Sequence, residues 1–367
     1  MSCIRNFCEQ DIPQVAALHR RLMRTDTATA SAFRQKSDLM GSYARYFGSV
    51  FLNDTNDRGL SSFVYEQDGR IRGFLGVVAR RMRFRGEPIL AAVCSQFVVD
   101  PAERGQVGLQ MLKRCFEGPQ DLSITDEAGD DTRRIWEWRG GATVLPYSIH
   151  WLRPLRPVQS ALTFARQRKA LASVAGLLSP LARALDAVVT RPAGGPFRPA
   201  RPRGSREGLD PTTLLACLGE VTGDRSIVPD YDERSLTRIV ERTRDRMNGG
   251  RLRQFLVRDD RERVAGWFVY GAHRGGIGEV LQVAAKPLHA RKVLDHLVDD
   301  AWQQGVVALS GRLDPDFAAE LSEKSCFLYR RGHWTLVHSK RPDVSHALQR
   351  GDAFFTRLEG EWCLRFP

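Results

Sequence analysis

The sequence predicts an α+β protein of two domains, each a mostly antiparallel twisted sheet flanked by helices. Three observations carry that expectation. The chain has 367 residues, too many for one ordinary domain of about 100–200. The stretch RPAGGPFRPARPRGSREG at 191–208 is dominated by Pro, Gly and Arg, cannot bury enough apolar surface to fold alone, and reads as a linker. On either side of it, β-rich and amphipathic runs follow one another in a similar order, without a residue-level repeat.

In the first block, 4–7 reads as a short strand. Asp11 then supplies an N-cap, with Pro13 early in a helix that runs to about 23. Runs 61–66 and 71–78 are strands joined by Gln67-Asp68-Gly69-Arg70, whose Asp-Gly pair favours a tight hairpin turn. Run 89–99 is a further apolar strand ending at Asp100-Pro101, after which Leu109, Leu112, Cys115 and Phe116 follow helical spacing. A short strand at 122–125, a helix at 131–139 closed by Gly140-Gly141, and a strand region at 143–151 complete the block.

Beyond the linker, 254–257 and 264–270 flank Asp259-Asp260-Arg261. Strand 279–285 runs into Lys286-Pro287, a helix spans 290–304, and 306–310 and 334–338 complete a strand-rich outline. Asp314-Pro315-Asp316 reads as a helix start rather than a metal site. The domains are therefore expected at 1–153 and 209–367, with 154–208 between them.

Composition narrows the class. A hydrophobic fraction of 42% can fill two cores, no apolar run approaches the roughly 18 residues of a membrane-spanning helix, and the opening MSCIRNFCEQD has no signal-peptide pattern, so a cytoplasmic location is expected. Seven scattered cysteines form no CxxC or Cys/His spacing, so neither a disulfide framework nor a metal is expected. The net charge of +12 is uneven: residues 152–208 hold eleven Arg and Lys against Asp186 and Glu207. In that segment Leu171, Val174, Leu178, Leu181, Leu185 and Val188 recur at intervals of three and four. This stripe reads as a bridge packed across both domains or as a contact with an anionic membrane surface. With only Phe164 and Phe197 as stacking aromatics, nucleic acid is the weaker partner.

The segment with chemistry is SQFVVDPAERGQVGL at 95–109. A strand carrying Phe97, Val98 and Val99 enters a turn with Arg104, Gly105, Gln106, Val107, Gly108 and Leu109, where the next helix begins. Such a junction aims free backbone N–H groups and the positive end of a helix dipole at one point, suited to a pyrophosphate. Two glycines would admit phosphate oxygens closely and Arg104 would add a charge-assisted contact. A plain helix-start turn is the bland alternative.

Placed in order with IRNFCEQDIPQVAAL, FVYEQDGRIRGFLGVV and LSITDEAGDDTRRIWEWRGG, this segment resembles the CoA pyrophosphate loop of the GNAT (acyl-CoA N-acyltransferase) superfamily. The resemblance covers essentially all of 1–153 and implies acetyl-CoA or another acyl-CoA as co-substrate. It also implies an acyl carbonyl polarised by a backbone N–H near Val98 and Val99. The chain departs from the pattern at three points. Its loop reads as if one residue were missing, Gln96 stands where many members place a Glu base, and Trp136 where many place a Tyr acid. Asp126, Glu127 and His150, at ends of strands or connections, are the candidate proton acceptors. Each also has an ordinary structural reading, as a helix cap or a satisfied strand histidine. The second block resembles a degenerate copy, since Lys286-Pro287-Leu288-His289-Ala290-Arg291 stands where the first has its Arg-Gly turn.

The resemblance thus implies a tandem acyltransferase acting on a small-molecule amine, for which an amino sugar or another envelope or polysaccharide precursor is the expected class. A Fem-type peptidyl transfer from aminoacyl-tRNA and a noncatalytic CoA- or acyl-binding protein are the alternatives.

Overall fold

A computed structural model describes residues 2–23, 39–52, 59–166, 178–190, 197–199, 201–247, 249–330 and 332–366. The chain forms two compact units that are discontinuous in sequence. The first gathers Met1–Leu145, Gly332–Asp352 and Glu359–Phe366; the second gathers Pro146–Arg331 and Ala353–Leu358. A single cut near 153 thus misses two segments of the chain's end that return to the first unit.

In the first unit, β1 (Ser2–Asn6), α1 (Ile12–Met23) and α2 (Leu39–Phe51) precede the hairpin β2 (Phe63–Gln67) and β3 (Arg70–Phe84). Asp68 and Gly69 both have positive φ at the hairpin tip, the backbone that the Asp-Gly pair favours. β4 (Glu87–Val99), α3 (Arg104–Phe116), β5 (Leu122–Ala128), α4 (Asp130–Trp138) and the short β6 (Ala142–Thr143) follow, and β15 (Trp334–Ser339) returns from far along the chain. The strand order is β1-β2-β3-β4-β5-β15-β6. All neighbours in it are antiparallel except β4 and β5. Both faces of the sheet are covered. Phe47 and Phe51 of α2 pack with Val15 of α1 and Phe74 of β3 in one apolar cluster, and Met111 and Leu112 of α3 pack with Trp136 of α4 in another.

The second unit has β7 (Ile149–Pro154), β8 (Ser205–Gly208), the short β9 (Ile227–Pro229), β10 (Arg251–Arg258), β11 (Val264–Ala272), β12 (Ile277–Ala285), β13 (Ala308–Arg312) and β14 (Phe327–Arg330). Its sheet is ordered β14-β7-β13-β12-β11-β10-β8. Again one pair is parallel, β12 with β13, and a helix, Ala290–Gln303, joins its two strands. The run 143–151, expected as one strand of the first domain, is instead β6, a turn of helix at Leu145–Ser148 with Pro146 inside it, and β7. β7 lies in the second unit's sheet, between β13 and β14. Its alternating residues suit either sheet, so no local feature chooses between them.

Asp314 caps the short turn Pro315–Phe317 by accepting from the Asp316 N–H, as a helix start requires. All seven cysteines are free thiols, and no metal-binding cluster occurs among the described residues. No described helix is long and apolar enough to cross a membrane. The leucine stripe differs from a packed bridge. Leu171 and Val174 lie outside the described residues, while Leu178, Leu181, Leu185 and Val188 are between 42% and 59% exposed. Helix Ser179–Val189 buries its other face, because Asp186 accepts the N–H groups of Val158 and Gln159 at the start of helix Pro157–Arg166.

Candidate active site

The parallel pairing of β4 with β5 covers only Ala91–Val93 against Leu122–Ile124. Beyond it the strands part, and a fork opens in the middle of the sheet. At the fork β4 is bulged: Val98 faces Phe74 and Ser95 faces Gly76, so Gln96 and Phe97 oppose Leu75 alone. Gln96 takes the left-handed conformation, with φ of 53°. Gly76 permits the bulge, since a Cβ there would lie 2.3 Å from the Phe51 ring and 2.8 Å from the Ser95 carbonyl. His19 of α1 holds the Gln96 side chain, Nε2 to Oε1. Burial pushes the His19 ring below the usual histidine range, so it is neutral at pH 7.

From the bulge, β4 leads through Val99 and Asp100 into α3. The Asp100 carboxylate accepts from Arg21 at 2.7 Å and from Arg72 at 3.0 Å. Against the upward push of burial, these two guanidinium groups hold it below the usual carboxylate range. No side chain caps α3, and its first turn carries Gly105 and Gln106 exposed. A Cβ at Gly105 would meet nothing within 4 Å, whereas one at Gly108 would touch Phe97 and Ile135 at 3.7 Å. Val107 is buried, as are Val98 and Val99, so the exposed N–H groups belong to the start of the turn rather than to all of Arg104–Leu109.

The fork holds a residue that sequence reading did not single out. Glu361, in the 3₁₀ turn Glu361–Leu364, places its Oε1 on β5. That oxygen accepts from the Thr125 hydroxyl, from Asp126 N at 2.9 Å and from Glu127 N at 3.1 Å. Across the fork, the Ser95 hydroxyl of β4 is buried without a hydrogen bond of ordinary geometry, yet lies close enough to favour the Glu361 carboxylate. Burial pushes the Glu361 carboxyl up to about 7; the Glu127 charge adds to the shift, and the bonds from Thr125 and β5 oppose it.

Asp126 and Glu127 frame this carboxyl. Asp126 accepts the Glu361 N–H at 2.7 Å, and a Cβ at Gly360 would lie 2.2 Å from its carboxylate, so glycine is needed there. Glu127 forms a two-toothed ion pair with Arg365, one arm at 2.6 Å. Neither residue caps α4, whose N-cap is Gly129. The segment continues past the fork: Leu364 O accepts from the Tyr46 hydroxyl, and Phe366 stacks on Tyr43 at 4.2 Å. His150 belongs to β7 of the second unit, where its Nδ1 faces the Arg357 guanidinium at 3.2 Å. The structure thus brings Asp126 and Glu127 to one carboxyl, and His150 to a different unit.

The second unit repeats the fork with other chemistry. β12 and β13 pair only at Ile277–Glu279 with Ala308–Ser310, and β12 is irregular opposite Val269 and Tyr270. Here the residue in the gap is Arg357, donating to Val280 O of β12 and Ser310 O of β13.

Solved structures share this architecture. A conserved protein of unknown function from Enterococcus faecalis V583, described as a probable N-acyltransferase, aligns over 92% of this chain and 73% of its own, with a TM-score of 0.56 and 9% identity. GCN5-related N-acetyltransferases from Anabaena variabilis ATCC 29413 and Kribbella flavida align with TM-scores of 0.54 each. The first is 11% identical over 93% of this chain and 74% of its own, the second 13% over 92% and 71%. Both units have GNAT-like folds. No family model and no curated protein matches the sequence. At such identities the likeness concerns the fold, and the chemistry of the site rests on this chain's own residues.

Glu361 gave little signal in the sequence. It lies 235 residues from its partner Asp126, and in AFFTRLEGEWCL only the presence of Glu359 and Glu361 within a run of buried residues marks the segment. Helix α2 and the His19–Gln96 pair were also missed, because they depend on contacts rather than on spacing.

Proposed function

We propose that the first unit binds an acyl-CoA along the β4/β5 fork and transfers its acyl group to an amine. The observation that carries this reading is the bulged β4, which opens a fork in the sheet and runs directly into an uncapped helix start. At a fork, β4 has backbone N–H groups not paired to β5, suited to polarising an acyl carbonyl near Phe97 and Val98. The first turn of α3, with Gly105 open to solvent, suits a pyrophosphate, with Arg104 and Gln106 supplying further backbone N–H groups. The second unit is unsuited to the same ligand. Its fork holds a guanidinium, and the junction before helix Ala290–Gln303 contains Pro287, which has no N–H, and Leu288 with φ of 67°.

Calorimetry on the full chain with acetyl-CoA and longer acyl-CoAs tests this. Gly105→Glu places a carboxylate at the helix start against the pyrophosphate and is expected to weaken binding by about tenfold or more. If no acyl-CoA binds, or if the variant binds as well as the parent, the reading falls.

The exposed face of helix Ser179–Val189 supports a second contact, with anionic lipid. Leu181, Leu185 and Val188 are exposed on a helix that also carries the exposed Arg183, in the most basic stretch of the chain. Sedimentation with anionic vesicles is expected at low salt and to weaken at high salt, with none on neutral vesicles. No sedimentation at low salt would remove lipid as the partner.

A further inference from the structure

We infer that Glu361, supplied to the fork by the segment that closes the first unit, is the proton acceptor for the amine; this rests on the acyl-transfer reading above. The position expected for a base on β4 is Gln96, which cannot take a proton at neutral pH and whose side chain is engaged by His19. Asp126 and Glu127 each have a partner in the Glu361–Arg365 segment. Glu361 is different. It stands between Ser95 and Asp126, just beyond the last paired residues Val93 and Ile124, at the point where the sheet first opens.

Oε1 is held by three donors on β5, and the carboxyl lies beside the buried Ser95 hydroxyl of β4, so the group is fixed at the mouth of the fork. A carboxylate has a second oxygen, which can accept the proton. The carboxyl titrates near neutrality, as a base working at pH 7 requires. The charged and titratable groups around it are Asp126 and Glu127 on β5, Arg365 on its own segment, and Cys94 on β4.

The transfer balances as follows. An ammonium gives one proton to the Glu361 carboxylate, and the neutral nitrogen forms a bond to the acyl carbon as the carbon–sulfur bond breaks. The departing thiolate takes a second proton from that nitrogen, leaving an amide and free CoA, and Glu361 returns its proton to water. Asp126, Gly360 and Arg365 act as positioning residues. Asp126 fixes the Glu361 backbone, Gly360 lets the turn pass against Asp126, and Arg365 ties the segment to β5 through Glu127.

The test is CoA thiol release from acetyl-CoA by the full chain, with ethanolamine and glucosamine as amine probes over pH 5–9, alongside acetyl-CoA calorimetry. In the wild type, kcat/KM is expected to rise with pH through a limb near 7. Glu361→Gln should lower kcat by about 10²–10⁴-fold while leaving acetyl-CoA affinity within about threefold, and Glu361→Asp should recover part of the loss. If Gln at 361 unfolds the protein, the wild-type limb and the Asp variant carry the test. Acetyl-CoA binding with undiminished turnover in Glu361→Gln, a wild-type profile without that limb, or a binding-competent wild type that releases no thiol to either amine would each overturn the assignment and leave the CoA site standing. Absence of acetyl-CoA binding would instead remove the acyl-transfer reading itself.

Discussion

Raising the pH from 4 to 8 is expected to remove about 3 kcal/mol of stability from the wild type relative to Glu361→Gln, measured on the full chain by urea unfolding at each pH. The sign follows from linkage. An unfolded glutamate titrates near 4.5, whereas burial raises the folded Glu361 to about 7. Below 4.5 both states hold the proton and the contribution of Glu361 is complete. Between the two values the unfolded chain has released its proton and the folded one has not, so stability falls with rising pH and levels off above 7. The gap between 4.5 and about 7 corresponds to about 3 kcal/mol. His19 and His338 work in the opposite sense. Burial holds both below the usual histidine range, so they weaken the fold as the pH falls below about 6.5. The difference between wild type and Glu361→Gln isolates the carboxyl from them. Parallel curves for the two proteins across this window would show that Glu361 is not the raised group.

The parts of the first unit that could be read from the sequence are those where local chemistry decides the backbone. Asp68-Gly69 forces the hairpin tip, Asp100-Pro101 ends β4, and the spacing of Leu112, Cys115 and Phe116 marks the buried side of α3. Each signal lies within a few residues of its effect. The glycine turn at the start of α3 belongs to the same kind.

What could not be read depends on partners distant in sequence. β7 and β15 sit beside the parallel pair in the unit opposite to the one that chain order suggests, β7 next to β13 and β15 next to β5. A strand's residues specify which face is apolar but not which edge they will pair with. Glu361, the proposed proton acceptor, gives no local signal for the same reason. The sequence offers Asp126 and Glu127, which do reach the fork on β5, and His150, which lies in the second unit; what β5 contributes to Glu361 is mainly backbone N–H groups, which leave no trace in residue type. The leucine stripe misled in another way. Its periodicity is real, but a single buried acid, Asp186, turns the opposite face of the helix inward.

Replacing Asp300 by alanine is expected to destabilise the second unit by about 3 kcal/mol. Asp300 lies on helix Ala290–Gln303 with its side chain fully buried. It accepts from Arg253 at 2.7 and 3.1 Å and from the Tyr270 hydroxyl at 2.6 Å, and Arg206 approaches to 3.3 Å. Burial, then the Asp300 charge, pushes the Tyr270 hydroxyl well above its ordinary value, and the hydrogen bond to Asp300 raises Arg253. Removing the carboxylate would leave a phenol and two guanidinium groups around an emptied site. Loss of one partner from a buried ion pair costs about 3–5 kcal/mol. The lower end applies because the Arg206 and Arg253 side chains, 19% and 27% exposed, can turn partly toward water. Asp300→Asn keeps the shape and an acceptor oxygen, so it should lose less. In a cycle with Tyr270→Phe, the double variant should be less destabilised than the two single losses added, because both delete the same hydrogen bond. Urea unfolding of the four proteins measures this. A loss below about 1 kcal/mol for Asp300→Ala, or strict additivity with Tyr270→Phe, would show that the cluster does not hold β10 and β11 against the helix.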